Sequence, residues 1–181
     1  MDKLLYKDWQ KVVANDIMAE LQGKPTVISI TGTSGTAKTE IANILHDLLW
    51  KNKKYYKIIH TDNFYDTRPN KRRATRKRTG KIGYCEIDLS SFANVMASYL
   101  MCGMWDGIIV EGIYASDYYS IFDTAFNILL EATERETKKF RVDRGKEKQD
   151  PFRKKVLAIE RKDIKNSITH FDMILNLKDY I

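Results

Sequence analysis

The 181-residue chain has little cysteine and no long apolar run, and both shortages exclude classes of protein. Its two cysteines, Cys85 and Cys102, are too few for a disulfide framework and lack the spacing of metal ligands. No apolar run approaches the about 20 residues of a membrane span, and the N-terminal MDKLLYKDWQ lacks the apolar core of a signal peptide. We therefore expect a cytoplasmic protein of one domain, residues 1–181, with reduced thiols.

Acidic residues are absent from the segment 68–81, in which basic residues are concentrated. Its eight basic residues are Arg68, Lys71, Arg72, Arg73, Arg76, Lys77, Arg78 and Lys81. The whole chain carries a net charge of +7, so removing these eight charges leaves the remainder at −1. A local excess of this kind predicts contact with an anionic partner, although solvated loops also carry charge runs.

Short apolar patterns typical of buried strands alternate with the spacing of amphipathic helices. Strands are predicted over residues 26–31, 55–60, 107–112, 126–130 and 171–177, and helices over 4–22, 41–49, 89–101, 133–143 and 152–167. The polar segment 62–88 is predicted to be irregular, because Pro69, Gly80 and Gly83 interrupt it. The alternation predicts an α/β three-layer sandwich, in which helices cover both faces of a parallel sheet.

The segment between the first strand and the second helix has the pattern of a phosphate-binding loop. It reads Gly32-Thr33-Ser34-Gly35-Thr36-Ala37-Lys38-Thr39 and is followed by Glu40. Glycines allow backbone N–H groups to point at phosphate oxygens, and the helix N-terminus adds roughly half a positive charge. In this pattern Lys38 reaches the β- and γ-phosphates, and the Thr39 hydroxyl holds Mg²⁺.

Ala37 departs from this pattern, because it stands where the second glycine belongs. Its methyl group is expected to crowd the phosphates or to strain the backbone, and so to weaken nucleotide binding. An alternative interpretation of the same residues is a turn between strand and helix that binds no ligand.

Four motifs follow one another along the chain: GTSGTAKT at 32–39, TDNFYD at 61–66, VEGIYA at 110–115 and KKFRVDRGKE at 138–147. Together they resemble the uridine kinase and phosphoribulokinase group of P-loop kinases, over about residues 24–177. The resemblance implies a P-loop NTPase fold with a small arginine-bearing lid over about residues 133–152, and ATP and Mg²⁺ as cofactors. It also implies transfer of the γ-phosphoryl group to a hydroxyl of a small metabolite. The N-terminal helix, residues 1–23, lies outside it and is a candidate for a homodimer contact.

The resemblance also assigns roles to single residues. Asp62 is implied to be the base that takes the proton of the acceptor hydroxyl, and a carboxylate at a strand end also suits Mg²⁺ contact. Glu111 is implied to be a second metal-binding acid. Arg141 and Arg144 match the lid arginines that close over the transferring phosphate, and Arg135 matches less well. The plainer interpretations are a turn for Asp62, an exposed acid for Glu111 and a solvated charged helix for the arginines.

The acceptor itself stays open. In uridine kinases the stretch after the TDNFYD-like motif binds the acceptor, and here it contains the basic segment 68–81. Candidate acceptor-binding residues are Tyr65, Arg73, Glu86 and Tyr114. A neutral nucleoside does not require so much positive charge, so a phosphorylated sugar or nucleotide is favoured, with a nucleic acid as the alternative. A basic loop without a ligand, and a non-catalytic nucleotide-binding module, are further interpretations.

Overall fold

A computed structural model describes residues 7–21, 23, 25–118, 125–143, 150–167 and 170–181. The helices are α1 (Asp8–Glu20), α2 (Lys38–Lys51), α3 (Pro69–Thr79), α4 (Leu89–Met101), α5 (Glu134–Asp143) and α6 (Pro151–Lys165). The strands are β1 (Val27–Gly32), β2 (Tyr56–His60), β3 (Gly107–Gly112), β4 (Ala125–Glu131) and β5 (Met173–Asn176). Short 3-10 turns follow β2, α3, β3 and β5.

The five strands run parallel, in the order β2-β3-β1-β4-β5. The central strand β1 lies between β3, where Val27 is opposite Ile108, and β4, where Val27 is opposite Ala125. Every residue of β1 and β3 is buried, as expected of strands covered on both faces. Because the strands are parallel, the carboxyl ends of β1, β2 and β3 meet at one edge of the sheet.

Two apolar cores lie on opposite faces of this sheet. Alternate side chains of a strand point to opposite faces, and β1 accordingly contributes to both cores. Ile28 packs with Ile17 of α1 and Leu45 of α2, whereas Val27 belongs to a cluster that includes Phe92 of α4. The predicted sandwich, with helices on both faces of a parallel sheet, is therefore confirmed.

The basic segment 68–81 forms a helix, so the prediction of an irregular segment over 62–88 is wrong in this part. Pro69 occupies the first turn of the 11-residue helix α3, where its missing N–H leaves no hydrogen bond unmade. Gly80 follows the last turn with a φ of 71°, a left-handed conformation that ends many helices. The two residues that suggested irregularity therefore mark the ends of a helix.

Helix α1 packs against the rest of the chain. Its Val13 and Ile17 are buried in the core shared with α2, and the Trp9 ring lies 5.4 Å from the Phe140 ring of α5, centroid to centroid. A dimer contact through this helix stays a prediction. Among the helices of the described residues, none is both long and apolar enough to cross a membrane.

Candidate active site

A polar cavity of about 130 Å³ lies at the carboxyl edge of the sheet, between the phosphate loop and the ends of β2 and β3. It is lined by Ser34, Gly35, Ala37, Lys38, Thr39, Asp62, Glu111, Gly112 and Ile113. Residues separated by more than 70 positions in sequence, such as Lys38 and Glu111, thus meet in one cavity. The remaining predicted nucleotide-binding residues, Gly32, Thr33, Thr36 and Glu40, do not line it.

The phosphate loop is closed by its own hydrogen bonds. The Lys38 ammonium donates to the Thr33 carbonyl at 2.9 Å, and the Thr36 N–H donates to the same oxygen at 3.3 Å. Gly35 has a φ of 99°, and a Cβ there would lie 2.8 Å from the Thr137 carbonyl of α5. Glycine at this position therefore allows the loop to turn in close contact with α5.

Ala37 adopts a left-handed conformation, with φ 59° and ψ 27°. An L-residue in this region costs about 1–2 kcal/mol, so the predicted backbone strain agrees with the structure. Ala37 is only 4% exposed and belongs to the apolar core with Ile41, and it also lines the polar cavity, so crowding of the phosphates stays a prediction. A weaker affinity for nucleotide stays a prediction.

Thr39, Glu111 and His60 form a hydrogen-bonded group beside the loop. The Thr39 hydroxyl donates to Glu111 Oε1 at 3.1 Å, and His60 Nδ1 lies 2.6 Å from the same oxygen. The hydrogen bond to Glu111 raises the pKa of His60. His60 was not predicted from the sequence, although the parallel register places it directly opposite Glu111.

The side-chain oxygen atoms of Thr39, Asp62 and Glu111 fit a magnesium site. Mg²⁺ is usually held by one or two protein carboxylates together with phosphate oxygens and water. Thr39, Asp62 and Glu111 border one cavity and offer a hydroxyl and two carboxylates. Among the described residues, no group of three or more His, Cys, Asp and Glu side chains can hold a metal. A cation here would therefore depend on additional oxygens, as a nucleotide provides.

Asp62 is positioned by the 3-10 turn Thr61–Phe64, which follows β2 directly. Gly112 at the end of β3 makes this placement possible, because a Cβ at that position would overlap the Thr61 side chain. Asp66 N–H donates to the Glu86 carbonyl at 2.8 Å, which ties the segment after Asp62 to a second turn.

Two arginines from different helices converge on Ser34 of the phosphate loop. Arg141 of α5 donates from Nη1 to the Ser34 carbonyl at 2.7 Å, and Arg153 of α6 donates from Nη2 to Ser34 Oγ at 3.2 Å. Arg135 is exposed, and Arg144 lies outside the described residues. Arg153 was missed. The sequence did contain a signal for it. Arg153 lies in the first turn of α6, where a positive charge is unfavourable to the helix dipole, so a contact elsewhere is expected to explain its position.

No protein-family model matches the sequence, and no curated protein does. Solved structures do match. A candidate fructose transport system kinase from Silicibacter sp. TM1040 has a TM-score of 0.61 at 15% identity, covering 91% of this chain and 98% of that one. A possible uridine kinase from Bacillus stearothermophilus has a TM-score of 0.54 at 19% identity, covering 93% and 97%. A D-glycerate 3-kinase from Cryptococcus neoformans var. grubii has a TM-score of 0.59 at 12% identity, covering 94% and 93%.

The chain has the fold of the P-loop kinases. This is the fold expected from the four motifs, and these structural neighbours are sugar, nucleoside and glycerate kinases. Each of them covers more than nine-tenths of this chain, so the likeness extends to the helices around the sheet and not only to the phosphate loop.

Of the two predicted acceptor-binding tyrosines, Tyr65 is half-buried and Tyr114 is buried. The Arg72 guanidinium lies 3.7 Å from the centroid of the Tyr65 ring, and the Tyr114 hydroxyl donates to Asp163 Oδ2 of α6 at 3.1 Å. Burial is the main cause that raises the pKa of both phenols. The burial therefore disfavours the phenolate form of both residues.

The other two predicted acceptor residues are engaged within the protein. Glu86 is buried and accepts hydrogen bonds from Arg76 Nε at 2.8 Å, from Arg76 Nη2 at 2.9 Å and from Gly83 N–H at 2.9 Å. Arg73 is exposed and donates to Asp150 Oδ2 at 2.6 Å. An acceptor role for either residue stays a prediction and would require exchange of these partners.

A second cavity, of about 240 Å³, adjoins the phosphate loop through Thr33. It is lined by Thr33, Leu129, Leu130, Glu131, Ala132, Thr133, Arg161, Ile164, Lys165 and Asn176. Its lining is largely apolar, unlike that of the cavity with Asp62. A largely apolar lining with a few polar groups is typical of pockets that bind small molecules.

Proposed function

We propose that the protein is an ATP-dependent kinase of the uridine kinase type, which transfers the γ-phosphoryl group to a hydroxyl of a nucleoside, a sugar or a sugar phosphate. The observation that carries this proposal is the single cavity in which the phosphate-loop residues Lys38 and Thr39 meet two carboxylates, Asp62 and Glu111. A loop that binds phosphate needs only the first pair. A base and a metal site facing the same space are what phosphoryl transfer adds.

In this proposal the triphosphate lies along the loop, and the base lies in the apolar cavity beside Thr33. The loop N–H groups and Lys38 bind phosphate oxygens. Thr39 and Glu111 would hold Mg²⁺, with Asp62 lining the same cavity, and the cation would supply positive charge to the phosphates. Asp62 accepts the proton of the acceptor hydroxyl. The hydroxyl oxygen forms a bond to the γ-phosphorus, and the bond between that phosphorus and the leaving oxygen of ADP breaks.

Arg141 and Arg153 are the cationic groups proposed to act on the transferring phosphoryl group. Both contact Ser34, so each guanidinium already lies at the loop that would hold the phosphates. Such groups stabilise the charge of the transition state most strongly where water is excluded. Arg144 keeps the role that the resemblance implies, as a further lid arginine.

The test is Mg²⁺-dependent release of ADP, measured with and without members of a panel of hydroxyl compounds. We expect one class of acceptor to stimulate release, and Asp62→Asn to abolish the stimulation while thermal stabilisation by ATP·Mg²⁺ is retained. Asp66→Asn is the matched control, because Asp66 is an exposed acid of the same segment that does not line the cavity. Normal turnover by Asp62→Asn would show that the assigned base is wrong. ATP binding without transfer to any acceptor would favour the non-catalytic module.

A second candidate function, a kinase acting on a nucleic acid, is favoured by the outer face of α3. Lys71 and Arg78 of α3, together with Arg68 and Lys81 just beyond its two ends, are exposed and form no ion pair with the described residues, and no acid interrupts the helix. Oligonucleotide binding through this face should weaken steeply with salt, with a logarithmic slope of about −0.7 for each single-strand phosphate contacted. Lys71→Ala/Arg78→Ala should lower that slope. Absence of oligonucleotide binding at low salt would remove this candidate.

A further inference from the structure

A buried acid of α6, Glu160, has no role in the site described above. It is 2% exposed, and its Oε2 atom has no hydrogen-bond partner among the described residues. A buried carboxylate oxygen normally has a partner, because burial without one costs about 1–3 kcal/mol or more. An oxygen left open in the protein alone is therefore a candidate for contact with a ligand.

The cations around Glu160 do not satisfy it directly. The nearest is Arg153, whose Nη1 lies 3.9 Å from Glu160 Oε1, whereas a direct ion pair has a distance of about 2.7–2.9 Å. Arg76 directs Nε and Nη2 at Glu86, and the Lys38 ammonium donates to the Thr33 carbonyl. Burial raises the pKa of Glu160, and the charges of Arg153, Arg76 and Lys38 act in the opposite direction.

Glu160 is linked to the phosphate loop through Arg153, whose Nη1 lies 3.9 Å from Glu160 Oε1 and whose Nη2 donates to Ser34 Oγ at 3.2 Å. Its charge interacts with those of Lys38 of the phosphate loop and Asp62, the proposed base. Its charge also adds to the rise in the pKa of Tyr65 and of Tyr114, which burial mainly causes. Along α6, Glu160 therefore comes between Arg153, which donates to Ser34 of the phosphate loop, and Asp163, which accepts a hydrogen bond from the Tyr114 hydroxyl.

We propose that Glu160 is an acceptor-binding residue, whose open oxygen selects an uncharged acceptor by accepting a hydrogen bond from a hydroxyl or N–H group. This inference rests on the proposed kinase function and names its substrate class. A donor on the acceptor satisfies a buried oxygen that is otherwise unpaired, whereas a carboxylate or phosphate there meets a like charge away from water. Sites built to bind one polar group discriminate strongly against ligands that lack it.

The basic segment does not contradict a neutral acceptor. The buried arginine of α3, Arg76, is paired with Glu86, and Arg72 lies over the Tyr65 ring. Lys71 and Arg78, by contrast, are exposed and form no ion pair with the described residues. The expectation of an anionic acceptor was based on all eight basic residues of segment 68–81, although only some of their side chains face inward.

The closing experiment measures ADP release with matched pairs of acceptors, in which each neutral compound has a charged counterpart. Suitable pairs are glycerol with glycerate, glucose with gluconate, and uridine with uridine monophosphate. We expect the wild-type protein to favour the neutral member of the accepted pair by at least about a hundredfold in kcat/KM. A preference for the charged member would overturn the inference and leave the kinase function intact. Transfer to no member would count against the proposed function itself.

Glu160→Gln tests the residue directly, because it removes the charge and keeps the shape. We expect the KM of the neutral acceptor to rise about tenfold, the preference over the charged member to fall about tenfold, and the KM of ATP to stay within about twofold. Glu160→Asp should retain most of the preference, since it keeps the charge. Glu20→Gln is the control, because Glu20 is an exposed acid on α1. An unchanged acceptor KM and preference in a folded Glu160→Gln protein, checked by circular dichroism, would overturn the inference.

Discussion

The buried pair between Arg76 and Glu86 predicts a large loss of stability when one partner is removed. Arg76 is 8% exposed and Glu86 is 9% exposed, and Arg76 makes three hydrogen bonds to the carboxylate. Arg76→Met leaves that carboxylate buried with the Gly83 N–H as its remaining donor. Removing one partner of a buried pair typically costs about 3–5 kcal/mol, a large part of the about 5–15 kcal/mol that stabilises a domain.

A double-mutant cycle separates this pair from ordinary packing. Replacing both partners, in Arg76→Met/Glu86→Leu, removes the uncompensated charge, so the double variant should be more stable than Arg76→Met alone. The free energy of unfolding is measured by urea denaturation followed by circular dichroism. Arg78→Met is the control, because the same substitution at an exposed position of the same helix should change stability by less than about 0.5 kcal/mol.

Two results would refute this reasoning. One is a cost of less than about 1 kcal/mol for Arg76→Met, which is the range of an exposed pair. The other is additivity of the two single substitutions, which would show that the partners do not interact. The cycle also bears on the predicted acceptor role of Glu86. If Glu86 acts only through Arg76, the double variant keeps the acceptor KM, and if Glu86 binds the acceptor, that KM rises.

Three further substitutions test the phosphate loop, the turn with the proposed base and the start of α6. Ala37→Gly should raise the free energy of unfolding by up to about 1 kcal/mol, because relief of about 1–2 kcal/mol of strain exceeds the about 0.8 kcal/mol lost with a buried methyl group; lower stability would contradict this. Gly112→Ala should abolish phosphoryl transfer, since its methyl group would displace Thr61 and with it the neighbouring Asp62; normal ADP release would contradict this. Asp150→Asn should destabilise the protein above pH 4 and not at about pH 2. A hydrogen bond from Arg73 lowers the pKa of Asp150 in the folded protein to about 2. The stabilising effect of the ionised carboxylate is therefore complete above its unfolded-state pKa of about 3.9 and is lost as the pH falls towards 2. Urea midpoints of both proteins across this range measure the difference, and a difference that persists at pH 2 would contradict the assignment.

The sheet and the phosphate-loop side of the site could be predicted because both depend on local sequence. An apolar run followed by a glycine-rich segment and a helix marks the loop before Lys38 without any knowledge of distant contacts. Asp62 and Glu111 each follow or end a strand pattern, and parallel topology alone brings such strand ends to one edge. The parallel topology therefore predicts that Asp62 and Glu111 lie at one edge, without any knowledge of which residues are in contact.

Helix α3 could not be predicted in the same way, because Pro69 and Gly80 have two meanings. The same residues interrupt a helix when they lie inside it and favour a helix when they lie at its ends. The segment between them is almost entirely polar, so no apolar stripe decided the matter. Packing decided it, since the single buried arginine finds Glu86 in the following turn.

The unpredicted residues of the site depend on contacts that no local pattern contains. His60 meets Glu111 across the register of two strands 51 positions apart, and Arg153 meets Ser34 across 119 positions. Glu160 differs from both, because what marks it is an oxygen without a partner. Such an oxygen is visible only when every neighbour has been placed.

The charge of the basic segment illustrates why net charge is a poor guide to acceptor chemistry in this fold. A helix divides its residues between faces, so a run of cations in sequence becomes an inner group and an outer group. The inner arginine of α3, Arg76, is neutralised by Glu86, and its charge also interacts with that of the buried acid Glu160. The outer group acts on whatever approaches the surface and is screened by salt within about 10 Å. Binding of an anion to that exposed face and phosphorylation of a neutral molecule in the cavity are therefore independent hypotheses, and each is tested with its own variants.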